Sequence, residues 1–268
     1  MDFTLIIGII AGLGALIGGF VLDKGNVGSL FMLSGFLIVF GGTVGAVIAS
    51  NKPKDILNAF KSVGASFSSK NSPKPEQVIE KVTKMADMCR KEGLLKLQEL
   101  LNDPDLNKED FLLLKEGMVL ALGMKNADEI REAMEADIEA YMIKKKSEIE
   151  VFEGAGGFSP TMGVIGTVMG LIQVLSHGLN DPDALVEAIG GAFIATLYGV
   201  VFANMIYFPC ANKLKGNLKR QKVVKEMMVE GMCMIASGVS SRDIENKLSL
   251  YYQAFPDGSK KYRAGIDN

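Results

Sequence analysis

The sequence has no tryptophan, one histidine and three cysteines in 268 residues, and each scarcity removes a class of chemistry. His177 stands without the neighbouring ligands that a zinc-type site requires, so neither a metal nor a cofactor is expected. Cys89, Cys210 and Cys233 lack CxxC spacing and are expected as reduced thiols with no disulfide. The charged middle of the chain has no strand-like alternation, no Gly-rich phosphate loop and no His/Cys/carboxylate constellation, so a hydrolase or kinase has no residues to stand on. The pair Gly12 and Gly14 lacks the strand-turn-helix context of a dinucleotide motif. A net charge of −2 gives no basic field, which excludes nucleic acid as a partner. No enzyme is expected.

The most informative absence is charge itself. Phe3 to Leu22, Gly25 to Asn51, Gly154 to His177 and Ala188 to Asn212 contain no Asp, Glu, Lys or Arg. About 20 helical residues at ~1.5 Å each cross the ~30 Å hydrocarbon core, so each stretch is long enough to span a bilayer. An ion crossing these spans meets no carboxylate of this chain, and any titrating group there must come from a partner. The N-terminus shows no positive n-region and no small-residue cleavage pattern, so the first span is expected to be retained.

Lysine and arginine set the orientation. Lys52, Lys54 and Lys61 follow the second span, Lys144 to Lys146 precede the third, and Lys213, Lys215, Lys219, Arg220 and Lys222 follow the fourth. The loop between spans three and four, Ser176 to Glu187, has none, and that between spans one and two has only Lys24. The positive-inside tendency puts the middle segment, the C-terminal tail and both termini in the cytoplasm. The expected architecture is all-α, a polytopic membrane protein with four transmembrane helices and a helical cytoplasmic domain between the second and third. Its segments are 1–51 (first hairpin), 52–153 (cytoplasmic domain), 154–212 (second hairpin) and 213–268 (C-terminal helices and tail).

Within the middle segment, Ser66 to Pro75 reads as a connector. Val78, Val82, Met85 and Cys89 mark one apolar helix face, expected to end near Asp103-Pro104. A second helix covers Glu109 to Met124. Asn126 with Glu129 has the form of a capping box that opens a third helix, along which Ile130, Met134, Ile138 and Tyr141 recur at helical spacing. Acidic residues at its start and Lys144 to Lys146 at its end suit the helix dipole. The tail from Pro256 is polar and expected to be loosely ordered.

Helices in lipid associate through close packing, for which small residues one turn apart are the usual sign. Gly8 and Gly12, Gly14 and Gly18, Gly41 and Gly45, Gly166 and Gly170, and the row Gly191, Ala195, Gly199 all fit and are expected to meet other helices. Neighbouring stripes carry Gly163, Thr167 and Gly170 in span three, and Ala192, Thr196, Gly199 and Ala203 in span four. Counted from the external loop, Thr167 lies ~15 Å and Thr196 ~20 Å deep. Each hydroxyl either bonds the carbonyl one turn back or lines a polar path, where an uncompensated polar group would be costly. Pro160 begins the membrane part of span three and Pro209 closes span four, where it removes the bond to the Met205 carbonyl and loosens that turn.

Four segments carry a resemblance to a known family. They are Phe158-Ser-Pro-Thr-Met-Gly-Val-Ile-Gly-Thr-Val-Met-Gly-Leu-Ile172, Ala192-Phe-Ile-Ala-Thr-Leu-Tyr-Gly199 with Pro209-Cys-Ala-Asn-Lys-Leu214, Arg90-Lys-Glu-Gly-Leu-Leu-Lys-Leu97, and a tail running from Glu230-Gly-Met through Ile235-Ala-Ser-Gly238 to Ile244-Glu-Asn-Lys-Leu248. In these the chain resembles the MotA family of bacterial flagellar stator subunits, which includes the sodium-type PomA. The resemblance implies a homo-oligomer of five copies in the bacterial inner membrane around two copies of a MotB-type single-span partner, whose aspartate binds the ion. It further implies an ion path beside Thr167 and Thr196, coupling through Pro160 and Pro209, and contact with the rotor protein FliG through Arg90 and Glu99. At the rotor patch a position often occupied by glutamate is Gln98 here, with Glu99 beside it. The transported ion is H+ by the family's commonest state, with Na+ as the alternative because sodium-type members commonly carry threonine at Thr167 and hard cations prefer oxygen ligands.

An energiser of the ExbB or TolQ type would share the hairpin of spans three and four. Those proteins put one span before the large cytoplasmic segment, whereas this chain puts two there. A multipass scaffold without an ion path would explain the small-residue stripes but not the shared depth of two threonines and the paired prolines.

Overall fold

A computed structural model describes residues 4–66, 73–123, 126–177 and 182–255. The described residues form helices, short helical turns and connectors, with no strand among them. Among the described residues four helical segments are long and apolar enough to cross a membrane. The expected tail from Pro256, most of the connector Ser66 to Pro75, part of the loop Ser176 to Glu187 and the side chain of His177 lie outside the described residues.

The chain divides into two compact units, Met1–Ser68 with Lys146–Lys215, and Ser69–Lys145 with Gly216–Asn268. These borders differ from those read in the sequence. The helix Pro53–Ser66 and the stretch from Lys146 group with the membrane spans, and the C-terminal helices group with the charged middle segment. Local contacts supply the reason: Ser62 donates a 2.5 Å hydrogen bond to the buried Glu148 carboxylate, and Phe60 meets Phe152 edge-on with ring centroids 5.5 Å apart.

In the membrane unit, span one is the helix Thr4–Leu22. Span two does not begin as a helix. A 3-10 turn, Val27–Leu30, is capped by the Asn26 side chain and followed by extended backbone at Phe31 and Met32. Helix resumes at Leu33 and continues to Ser50 through a π turn, Leu37–Gly41. Span three is part of a single helix, Ala127–His177. The helix opened by Asn126 and span three, read separately from sequence, are therefore one element: Lys144 to Lys146 interrupt the apolar pattern but not the helical one. Its cap is as read, with the Glu129 N–H donating to Asn126 Oδ1 at 2.8 Å, although the return bond to Glu129 comes from the Asn126 side-chain amide.

Span four is likewise longer than its apolar stretch. Pro182–Phe202, a π turn over Ala203–Tyr207, and Phe208–Ala236 follow one another without a break. The helix therefore continues past Pro209. Outward faces of this unit are apolar, with Leu22 84%, Leu33 75% and Leu175 76% exposed, as helices facing lipid require.

The charged unit has a conventional core. Val78, Val82 and Met85 of the helix Pro75–Glu92 pack with Leu113, Leu114 and Met118 of Leu112–Gly123, Met134 of Ala127–His177, Met228 and Met232 of Phe208–Ala236, and Ile244 and Leu248 of Ser241–Ser249. The first of these helices stops at Glu92, short of Asp103-Pro104. Gly93 takes φ +86, open to glycine without strain, while its N–H closes on the Cys89 carbonyl at 2.8 Å. Two short turns, Leu94–Lys96 and Leu97–Leu100, then carry the chain onward. Polar ties surround the core: Arg131 pairs with Glu230 at 2.7 Å, and Tyr141 donates to Gln221 at 2.9 Å with the Lys225 ammonium 4.4 Å from its ring centre. Burial holds the Lys225 pKa below its ordinary value despite the acidic Asp137, Glu116 and Glu109 nearby.

Candidate ion-path site

Spans three and four meet through residues with almost no side chain. A Cβ added to Gly163 would lie 3.0 Å from the Ala195 carbonyl oxygen and 3.1 Å from Thr196 Cα, and one on Gly166 would lie 2.7 Å from Ala195 Cβ. One on Gly170 would lie 3.1 Å from Ala192 Cβ. At Gly199 a Cβ would fall 2.6 Å from the Ser159 carbonyl oxygen and 3.1 Å from Pro160 Cα, both backbone atoms. Ser159 is fully buried at that crossing and donates to the Gly199 carbonyl at 2.9 Å. The stripes read in sequence thus face each other across this pair of spans.

Their close approach brings Thr167 and Thr196 together. The two hydroxyls hydrogen-bond each other, and Thr167 Oγ1 also lies 3.0 Å from the Ala192 carbonyl and 3.1 Å from the Gly163 carbonyl. Other span threonines behave differently. Thr43 bonds the Val39 carbonyl at 2.6 Å and Thr161 the Phe158 carbonyl at 2.7 Å, each within its own helix. Thr167 uses both options, bonding one turn back and across to span four.

The pair has two proton arrangements. A hydroxyl carries one proton and two lone pairs. If Thr167 donates to a carbonyl, Thr196 donates to Thr167 and keeps lone pairs free for an incoming donor or cation. If Thr167 donates to Thr196, the Thr196 proton is free for an incoming acceptor. Both residues are only half-buried within this chain, so a third group can reach them.

Pro160 and Pro209 occupy different settings. Pro160 sits inside a regular stretch of Ala127–His177, at the tight crossing with Gly199. Pro209 follows the π turn Ala203–Tyr207, where the Phe208 N–H reaches back to the Ala203 carbonyl. A proline supplies no N–H for the carbonyl one turn earlier, and the wider turn absorbs that missing bond.

Arg90 and Glu99 belong to the charged unit and are both exposed, on either side of the Gly93 turn. Glu99 pairs with Lys96 at 2.9 Å, and Lys96 also pairs with Glu92 at 2.8 Å. Hydrogen bonds from Lys96 to the Glu92 and Glu99 carboxylates hold its pKa above the ordinary lysine value. Among the described residues no cluster of His, Cys, Asp and Glu could hold a metal. Sequence reasoning passed over Ser159 and Tyr198. A serine beside a membrane proline and a phenol in an apolar span each demand a buried partner, and that demand was the available signal.

Comparison with known proteins agrees over nearly the whole chain. Residues 106–227 match the MotA/TolQ/ExbB proton channel family, and residues 6–93 match the motility protein A N-terminal family. The chain is 34% identical over 254 residues to Motility protein A of Bacillus subtilis, covering 95% of this chain and 92% of that one. It is 32% identical over 251 residues to chemotaxis protein PomA of Vibrio alginolyticus, covering 94% and 95%. Its fold superposes on the flagellar MotAB stator complex from Bacillus subtilis with a TM-score of 0.84 at 32% identity, covering 98% of this chain and 99% of that one.

Proposed function

This chain belongs to the motility protein A branch of the MotA/TolQ/ExbB proton channel family, and on that footing we propose how it serves as a flagellar stator subunit. Five copies surround two copies of a MotB-type partner in the bacterial inner membrane, with both termini and the charged unit in the cytoplasm. The partner's aspartate carries the ion past Thr167 and Thr196. The observation that carries this reading is the threonine pair, a hydroxyl couple able to accept or donate inside spans that hold no charge.

Other features support the remaining parts. A Cβ added to Gly8, Gly14, Gly18, Gly41 or Gly45 would meet nothing beyond its own helix backbone within 4 Å, which leaves small-residue faces for neighbouring copies. Pro160 and Pro209 soften the two helices that bear the threonines and so couple ion passage to movement. Arg90 and Glu99 stand exposed for charge contact with FliG. Two spans ahead of the charged segment, with a match to the motility protein A N-terminal family there, favour the stator over an ExbB or TolQ energiser.

H+ is the favoured ion. The resemblance to PomA, together with Thr167, supports Na+ as the second reading. Thr167→Val and Thr196→Val keep the shape of the side chain and remove the hydroxyl. Each is expected to preserve assembly with the partner and to lower swimming speed at least severalfold. Wild-type swimming with both present would remove the path. Speed measured in the same cells across sodium concentrations at fixed pH assigns the ion: dependence on sodium selects Na+, and indifference selects H+.

A further inference from the structure

We infer that Tyr198 is a positioning residue for the ion path, closing a break in the backbone of span two and thereby holding span four in the rotation that presents Thr196 to Thr167. Its functional half rests on the path reading above.

The break lies between the turn Val27–Leu30 and the helix that starts at Leu33. Phe31 and Met32 are extended there, at φ −96°, ψ 100° and φ −127°, ψ 112°. Backbone groups at such a break have no helical partner, and a bilayer offers no water in compensation. The Phe31 N–H reaches the Gly28 carbonyl at 3.2 Å. Two further groups go to one side chain on span four: the Met32 N–H donates to the Tyr198 hydroxyl at 2.9 Å, and that hydroxyl donates to the Leu30 carbonyl at 2.5 Å. A single phenol oxygen thus satisfies both sides of the interruption.

The ring is held as firmly as the hydroxyl. It stacks on Phe202, with centroids 5.9 Å apart and planes 14° apart, and Phe36 of span two meets it edge-on at 6.4 Å. Around it the backbones approach closely. A Cβ on Gly35 would lie 3.6 Å from Ala195 Cα, and one on Gly191 would collide with the Met32 side chain.

Tyr198 follows Thr196 by two residues, about 200° around a helix of ~3.6 residues per turn. Span four therefore shows Thr196 to span three and Tyr198 to span two from nearly opposite faces. A rotation that releases the phenol from the break also carries the threonine away from Thr167. Neither the transported ion nor the partner's aspartate needs to touch Tyr198 for this to act.

The test is made on the full chain expressed with its partner. In the wild type, hydrogen exchange at the Met32 amide should be as slow as in the neighbouring helix. Tyr198→Phe should speed that exchange about tenfold and lower stall torque about fivefold, with the amount of stator in the membrane unchanged. If Tyr198 acts through Thr196, Tyr198→Phe combined with Thr196→Ser will lose less torque than the product of the two single losses. An unprotected Met32 amide in the wild type, normal torque in Tyr198→Phe, or strictly multiplicative losses would each overturn the proposal. Should Tyr198→Phe fail to accumulate, the wild-type exchange measurement still decides. Unaltered torque in Thr196→Val would remove the path reading and with it the functional half of this proposal, leaving the closure of the break by Tyr198 standing, whereas rapid Met32 exchange would remove this proposal and leave the path reading untouched.

Discussion

In the membrane unit, spans three and four meet through residues with little or no side chain: Gly163, Gly166, Gly170 and Gly199 against Ala192, Ala195 and Ser159. In the charged unit the core is built from long side chains, with Leu114, Met118, Met227, Met228 and Met232 fully buried. The difference follows from the solvent each surface would otherwise face. Lipid tails are as apolar as leucine, so burying leucine against another helix gains little, and helices associate where their backbones come close. Water makes the same burial worth about 25 cal/mol per Å² of apolar surface. One chain thus uses two packing rules, and substitutions of opposite kinds should be most damaging in its two units.

The largest expected effect is that of adding bulk to the membrane contact. A Cβ at Gly199 already falls within 2.6 Å of a carbonyl oxygen and 3.1 Å of Pro160 Cα, both backbone atoms that cannot turn aside. Gly199→Val should force spans three and four apart and abolish swimming, with loss of stator from the membrane fraction or of its assembly with the partner. Gly14→Val is the contrast, since a Cβ at Gly14 would meet nothing beyond its own helix backbone within 4 Å. Fold of the single chain should survive it. Equal tolerance at the two glycines would break the comparison.

Removing bulk should matter most in the charged unit. Leu114 is fully buried, and Leu114→Ala is expected to cost about 2–5 kcal/mol, the range for a leucine deleted from a packed core. Loss of secondary structure with heating or denaturant, followed in detergent on the whole chain, measures it. Leu33→Ala in span two removes a side chain that is 75% exposed, and its cost should be under about 1 kcal/mol. Similar losses at both positions would mean that the two units are packed alike.

The same contrast explains what could be read from sequence. Four spans were legible because charge is costly in lipid, and the facing stripes of spans three and four were legible because only small residues permit that approach. The glycines of spans one and two were legible as small-residue faces, but a Cβ on Gly8, Gly14, Gly18, Gly41 or Gly45 meets nothing beyond its own helix backbone within 4 Å, so residue spacing alone did not pair them. Helix ends were read less well. Apolar patterning marks where a helix meets lipid rather than where it stops, so Ala127–His177 and the run from Pro182 to Ala236 each outlast their greasy segment. The break at Phe31 and Met32 has no glycine or proline to announce it, because Tyr198, 166 residues from Met32, makes it tenable. A long-range hydrogen bond leaves no local pattern. Thr167 and Thr196 could be placed at similar depth by counting, but their direct contact depends on how the two helices are turned, which residue spacing does not fix.

Pro209 tests the comparison at its finest grain, because it sits where the small-residue packing of span four gives way to a helix that runs on to Ala236. Proline there leaves the Met205 carbonyl without its usual donor, and the π turn Ala203–Tyr207 accommodates the gap. Alanine would restore the N–H and favour an ordinary turn. Because helix propensity then rises while a settled packing arrangement is disturbed, the net stability change from Pro209→Ala should stay within about 1 kcal/mol. The protein should remain in the membrane at wild-type amounts. If the wide turn is a joint that lets the part of span four bearing Thr196 move against the rest of its helix, stiffening it should lower motor speed under load by about twofold, while speed near zero load changes less. A π turn that persists in the Pro209→Ala structure, or motor speed that matches wild type at every load, would show that the wide turn is no more than a way of housing a proline in a long helix.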